Sequence, residues 1–380
     1  MTPLSYDATD PLLARIAWSR IIEPGDRVAG CLLAGIGPVA ALDWLATGGA
    51  DGPPGMPPHA AWARSARNWR PRLRDLDPRR EHDAIDRLAG AVLTPEGAGW
   101  PAGLTDLGPG APPCLWVRGV IEAISRPAVS LVGARACTHY GQHVTGRLAG
   151  AAADAGLVVT SGGAFGIDAA AHRATLEVGG TTVAYQAGGV DRFYPGAHTP
   201  LLESVIERGA VVSEAPPGSA PMRQRFLQRN RLIAAATAAV VVVEAAWRSG
   251  ALSTAHHAAG LLRPVGAVPG PVTSPASAGC HRLLRDQVAT CITDEEELLE
   301  LAGPIGSVDP RPAEVPAGLL DDLDPETAQV LDALPVRAAT GVDALVRVAG
   351  LAPAAVIRAL GVLELAGKVA RHGDGWRRAR

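Results

Sequence analysis

Seven short runs rich in β-branched residues, separated by helical segments between Leu115 and Val268, predict an α/β fold with a Rossmann-like, doubly wound, mainly parallel sheet. Nearly every run ends in small, polar or charged residues, as strands do where ligands gather outside the carboxyl edge of such a sheet. The flanks differ from this core. Helical spacing dominates the first 90 residues, and three helical segments with a final pair of short extended runs occupy the last 60 or so. A small N-terminal helical domain and a C-terminal winged-helix domain are therefore expected on either side of the sheet.

In chain order, Asp10 to Leu45 is broken at Pro24-Gly25 and at Gly35-Ile36-Gly37-Pro38, which predicts three short helices joined by tight turns. The Gly-Ile-Gly turn has the form of a helix-hairpin-helix turn that would hold one phosphate, but simple helix punctuation explains it as well. Ala50 to Pro58 reads as a loop. Arg64 to His82 carries seven arginines and reads as an exposed helix, which completes a domain over residues 1–90. Val92 to Pro113, dense in Gly and Pro, reads as the join between domains. The predicted strands are Leu115 to Arg118, Val129 to Val132, Leu157 to Thr160, Thr182 to Gln186, Ala210 to Ser213, Ala239 to Val243 and Val265 to Val268. This domain, residues 91–302, closes after an acidic helix from Asp294 to Glu300. A Pro/Gly-rich linker, 303–318, precedes the winged helix, 319–380, with helices at Glu326 to Leu334, Val342 to Ala349 and Pro353 to Ala366. The charges of that last domain nearly cancel, so DNA contact and partner docking are both open to it.

Composition sets limits on function. With 47% hydrophobic and 19% charged residues the chain is globular in character, and its formal net charge of -3 means that any nucleic-acid surface has to be a local patch. Lys368 is the one lysine, and Val369 follows it, so neither a P-loop lysine nor a Schiff-base lysine is available to the sheet domain. The five cysteines are odd in number and form no C-x-x-C pair, which fits buried free thiols in a reducing compartment. No metal-ligand spacing is present and no metal or cofactor is expected. The longest apolar run, Leu232 to Trp247, contains Glu244 and falls short of the ~20 residues a membrane helix needs. The expected location is cytoplasmic, with no membrane partner.

The chemistry-bearing stretch runs from Arg223 to Thr254. Arg223, Arg225, Arg229 and Arg231 lie within nine residues, with Phe226 and Asn230 among them, directly before a buried strand. Ser249-Gly250 and Thr254 follow that strand and open the next helix, the build of an anion site. Gly133-Ala134-Arg135 follows an earlier strand. So does Ser161-Gly162-Gly163-Ala164-Phe165-Gly166-Ile167-Asp168, whose amides are expected to cradle a phosphate, although G-x-G-x-x-G spacing for a dinucleotide is absent. Asp168 and His172 share a helix face. They read as an acid–base pair or, preferably, as a helix-start carboxylate bonded to its neighbour. Glu214 and Glu244 read as hydrolytic carboxylates or, preferably, as strand-end residues that orient arginines. His256 and His257 read as helix surface. Apart from Phe226, no row of base-stacking aromatics is apparent.

These segments resemble the DNA-processing protein DprA (Smf) family. VGARACTHYG (132–141), SGGAFGIDAAAH (161–172), DRFYPGAH (191–198), SEAPPG (213–218), FLQRNRLIA (226–234), VVEA (242–245), SGALSTA (249–255) and AVPG (267–270) follow that family's order and spacing. The resemblance implies a non-catalytic protein that binds and protects single-stranded DNA, forms a homodimer through its Rossmann-like domain, and loads RecA in recombination and natural transformation. It also implies roles for Arg135, Arg223, Phe226, Asn230 and Arg231 in the DNA pocket. Leu227 stands where proline is usual, Thr138 where serine is usual and His198 where asparagine is common. The DNA-contacting set expected from residues and resemblance together is Gly133, Arg135, Ser161, Gly162, Gly163, Ala164, Gly166, Arg223, Phe226, Arg229, Asn230, Arg231, Ser249, Gly250 and Thr254. The alternative is a nucleotide-binding enzyme of the nucleoside-monophosphate phosphoribohydrolase type. Its PGGxGTxxE signature is replaced here by SGALSTAHH, without the glutamate.

Overall fold

The computed structural model describes residues 9–48, 52–56, 60–303, 323–336 and 338–379. The chain divides into two compact units, Met1–Val308 and Asp309–Arg380. Nearly all of the expected linker, 303–318, lies outside the described residues, as does part of the Ala50 to Pro58 loop.

Three helices open the first unit as expected: α1 (Pro11–Ile21), α2 (Arg27–Ile36) and α3 (Pro38–Thr47). Aspartates start two of them. Asp10 accepts from the amides of Leu12 and Leu13, and Asp26 from those of Val28 and Ala29, satisfying donors that the first turn leaves open. The expected single helix from Arg64 to His82 is instead α4 (Ala60–Trp69), a 3-10 turn at Arg70–Leu73, and α5 (Pro78–Asp86). The break has a local cause: Asp77 caps α5 by accepting from Arg80 N, and Pro78 at its first position cannot continue a preceding helix.

The sheet has nine strands: β1 (Gly90–Leu93), β2 (Leu115–Gly119), β3 (Ala128–Val132), β4 (Val158–Ser161), β5 (Thr182–Gln186), β6 (Ala210–Ser213), β7 (Ala239–Val242), β8 (Val265–Ala267) and β9 (Thr290–Cys291). Their spatial order is β1-β2-β6-β5-β4-β3-β7-β8-β9. From β6 to β9 all neighbours pair parallel; β2 joins β6 antiparallel, and β1 joins β2 antiparallel. The chain winds outward from β3 through β4, β5 and β6, then returns to place β7 on the other side of β3. That reversal beside β3 is the switch point of a doubly wound sheet. Helices α6 (His139–Asp154), α7 (Ile167–Glu177), α8 (Thr199–Arg208), α9 (Arg223–Ala235) and α10 (Ala251–Gly260) link the strands, with α11 (Ala278–Arg285) and α12 (Glu295–Ala302) completing the unit. Strand β7, buried at every position, bears out the reading of Ala239 to Val243 as a two-sided core strand.

The sequence misses β1 and β9. β1 lies at the edge of the stretch taken as a join between domains, and no core boundary falls there. Trp18, Leu42 and Leu45 of the N-terminal helices share one buried cluster with Trp116, Leu202 and Val211 of the sheet unit. Two of the five free cysteines, Cys31 and Cys291, are exposed rather than buried. Among the described residues no single helix is long and apolar enough to cross a membrane.

The second unit holds α13 (Pro325–Ala333), α14 (Val342–Ala349), α15 (Pro353–Leu365) and a hairpin of β10 (Val369–His372) and β11 (Gly375–Arg378). Val330, Leu360 and Leu363 form its core with Trp376, the three-helix and hairpin build of a winged helix.

Candidate nucleic-acid interface

A cleft of about 1100 Å³ opens at the switch point. Its walls come from the segments after β3, β4 and β7 and from the first turns of α9. Gly133, Arg135, Ala164, Arg223, Phe226, Arg229, Asn230, Ser249, Gly250 and Thr254 all line it. Ser161, Gly162, Gly163, Gly166 and Arg231 do not.

Phe226 is the aromatic centre of the cleft. The guanidinium carbon of Arg135 stands 5.2 Å from its ring centroid and that of Arg229 5.9 Å, while Tyr194 packs at 5.4 Å with its ring tilted. Arg135 and Arg223 are exposed, and so is Arg248, which also lines the cleft. The sequence reading passes over Arg248 and Tyr194. The signal for Arg248 was its place directly before Ser249-Gly250; Tyr194 sat in the DRFYPGAH segment without a role.

The arginines of α9 separate into two kinds. Arg229 is buried, and its Nη1 donates to the carbonyls of Gly162, at 2.7 Å, and Tyr185. Loss of solvent draws its pKa down to about 10, with the Asp168 carboxylate opposing, so it stays cationic at neutral pH. Arg231 is buried as well and points out of the cleft: Nε donates to Gly110 O at 3.0 Å, and Nη2 pairs with Glu214. Arg225 is held by Glu23. Arg231, expected at the DNA pocket, thus stands outside the cleft lining. Its charge is consumed in anchoring α9 to the end of β6.

The glycine loop after β4 also departs from expectation. Asp168, in the first turn of α7, accepts from the amide of Ala164 at 3.3 Å, and Ile167 N donates to Ala134 O. A carboxylate of the chain itself thus engages one of the loop amides expected to cradle a phosphate. Burial raises the Asp168 pKa, against the lowering effect of Arg229 and of the loop amides. Gly166 holds φ 78° at the start of α7, and a Cβ there would meet Ala134 O at 2.1 Å. Ser161 Oγ donates to Leu131 O, within the sheet. The loop is an internal brace for the cleft floor.

Asn230 Nδ2 donates to Gly250 O at 3.2 Å, fixing the start of α10 against α9. Glu214 orients Arg231 as expected. Glu244 orients no arginine: its carboxylate accepts from Thr138 N at 2.9 Å and Thr138 Oγ1 at 2.6 Å, holding the start of α6. His172 is not bonded to Asp168; its Nδ1 meets Thr182 Oγ1 at 2.7 Å in the core. Of the two histidines of α10, His256 is exposed and His257 half-buried.

The fold is thus a doubly wound α/β sheet with a cationic, aromatic-centred cleft at its switch point. Residues 91–303 match the family described as DNA recombination-mediator protein A, and residues 312–375 match the DprA winged helix domain. The chain belongs to the DprA (Smf) family. It is 40% identical over 379 residues to a protein of Mycobacterium tuberculosis (strain ATCC 25618 / H37Rv) that carries the DprA name, covering 95% of this chain and 93% of that one. Protein Smf of Escherichia coli (strain K12) is 40% identical over 190 residues, half of each chain. Among solved structures, DprA of Streptococcus pneumoniae superposes with a TM-score of 0.58 at 28% identity, covering 77% of this chain and 94% of that one. A DprA structure from Helicobacter pylori, described for that protein's single-stranded DNA binding mode, superposes at 0.51 with 27% identity, covering 56% and 94%.

Proposed function

We propose that this protein binds single-stranded DNA in the switch-point cleft, without cutting it, and delivers the strand to RecA as a homodimer. The observation that carries the reading is the ring of exposed Arg135, Arg223 and Arg248 around the Phe226–Tyr194 pair. Exposed guanidinium groups at the rim neutralise phosphates, and aromatic faces take bases of any sequence, the combination that single-strand binding without sequence preference requires. The family's description as a recombination mediator and the strand binding of the Helicobacter pylori relative support the same reading. Asp168 is the one carboxylate lining the cleft, and a loop amide engages it, which leaves a hydrolytic enzyme without a ready general base.

The test is fluorescence anisotropy of labelled oligothymidylate and of matched duplex at two salt concentrations. Preference for the single strand that weakens with salt is expected. The delivery step is read separately, as RecA filament formation on single strands already coated with a single-strand-binding protein, and the dimer by light scattering. Absence of binding to either DNA, together with release of base from a nucleoside monophosphate, would replace this reading by the phosphoribohydrolase one.

A further inference from the structure

A second groove, of about 440 Å³, lies on the other side of the loop that walls the cleft. Two elements run from one to the other. Thr138, which caps α6, lines the cleft, and Gln142 in the first turn of α6 lines the groove; Asp168 of α7 lines the cleft, and the adjacent Ala169 and Arg173 one turn further on line the groove. The ridge between them is Ala164 and Phe165.

Phe165 is 48% exposed, so an apolar ring in the middle of a braced loop is open to solvent. It is nevertheless held in place. Its ring meets His198 edge-on with centroids 4.5 Å apart, and His198 is itself buried and fixed by Nδ1, which donates to Gly163 O at 3.0 Å. The small residues beside the ring, Gly166, Ala169 and Ala170, leave a flat space next to it. Arg173 is exposed at the groove, and no carboxylate lines it. An oriented, half-bare aromatic with open space at its face and a cation beside it has the parts that hold one nucleotide: a stacking surface and a phosphate partner.

We infer that Phe165, positioned by His198, and Arg173 form a second nucleotide subsite, occupied by the next part of a strand that crosses the Ala164–Phe165 ridge out of the main cleft. This inference rests on the single-strand reading of the cleft, and its test separates the two. Full-length wild type, Phe165→Ala, Phe165→Trp and Phe226→Ala are titrated with labelled oligothymidylates of increasing length. Phe226→Ala weakens binding at every length. Phe165→Ala weakens binding on the order of tenfold, the loss of one stacked base, only for oligomers long enough to pass the ridge, and Phe165→Trp restores it. In parallel, oligomers carrying 5-iodouracil at successive positions cross-link wild-type Phe165 and Phe226 from different positions of the same strand. A Phe165→Ala curve that matches wild type at all lengths, or is weakened equally for the shortest, overturns the subsite and leaves the cleft reading standing. So does cross-linking that never reaches Phe165. No wild-type binding at any length overturns both.

Discussion

Arg229 and Gly162 are fitted to each other: Nη1 of the arginine donates to the Gly162 carbonyl at 2.7 Å, and a Cβ on residue 162 would stand 2.1 Å from that same nitrogen. The absent side chain therefore makes room for a buried guanidinium rather than for a ligand. The pairing joins α9 to the loop after β4 across the floor of the cleft.

Arg229→Ala is accordingly a folding variant before it is a binding variant. It removes the donor to two buried carbonyls and strips Asp168 of its nearby positive charge, so a loss of about 3 kcal/mol in unfolding free energy is expected. Gly162→Ala should also destabilise, because its Cβ would fall on the buried guanidinium and displace it from the Gly162 carbonyl. Arg135→Ala, at an exposed position, should unfold like wild type. Urea denaturation of the three variants checks this. An Arg229→Ala transition superimposed on wild type would remove the brace interpretation.

The exposed arginines carry the electrostatic prediction. If Arg135, Arg223 and Arg248 each neutralise one phosphate, replacing any one by alanine lowers the slope of log affinity against log salt by about 0.7 for a single strand. Arg231→Ala, whose guanidinium faces Glu214, should leave that slope unchanged whatever it does to stability. Salt titrations by anisotropy discriminate the groups; equal slopes for Arg135→Ala and wild type would take Arg135 out of the phosphate path.

His172 makes stability depend on pH. Burial, with the nearby charges of His198 and Arg229 adding to it, draws its pKa from 6.5 to about 3. Thr182 Oγ1 donates to Val159 O, so it accepts from His172 Nδ1, and the neutral ring keeps its other nitrogen without a partner. Between these two pKa values the unfolded chain binds a proton that the folded chain does not. Stability is therefore complete above pH 6.5 and falls as pH drops below it, by up to about 1.4 kcal/mol per pH unit from this one group. Asp168, held high in the folded state, acts in the opposite sense, so the informative quantity is the difference between wild type and His172→Gln. That difference should shrink as pH falls from 6.5 toward 4. Parallel wild-type and variant curves over that range would exclude His172 as the source.

Much of this architecture could be read from sequence because the signals are local. Ala239 to Val243 could only be a short buried strand, and Asp10, Asp26, Asp294 and Asp324 each announce a helix start that the structure has. Arg229 and Arg231 could not be sorted the same way. They sit two residues apart on one helix, and what divides their roles lies elsewhere in the chain: the carbonyls of Gly162 and Tyr185 for one, Glu214 and Gly110 for the other. A guanidinium that solvates a surface and one that ties up buried carbonyls have the same sequence signature. The glycine loop was ambiguous for a related reason. A phosphate cradle and an internal carboxylate contact use the same kind of amide, and only the fold shows that Ala164 N is turned to Asp168. Strand β1 was hidden by its company, four residues beginning with glycine just before a Gly/Pro-rich stretch.

The cleft lies wholly within Met1–Val308, and every side chain proposed to meet DNA belongs to that unit. The winged helix closes its own core around Trp376, and the sheet unit has buried clusters of its own. A chain ending before Gly318 should therefore fold and keep most of its affinity for oligothymidylate, with the same dependence on Phe226 and on salt. Any contribution of the winged helix should appear instead with duplex DNA or with a protein partner. Anisotropy of the truncated and full-length proteins on both DNAs decides the matter. If truncation abolishes single-strand binding while the thermal transition of the sheet unit is unchanged, the winged helix rather than the cleft is the principal DNA contact, and the roles proposed for Arg135, Arg223, Phe226 and Arg248 fall with it.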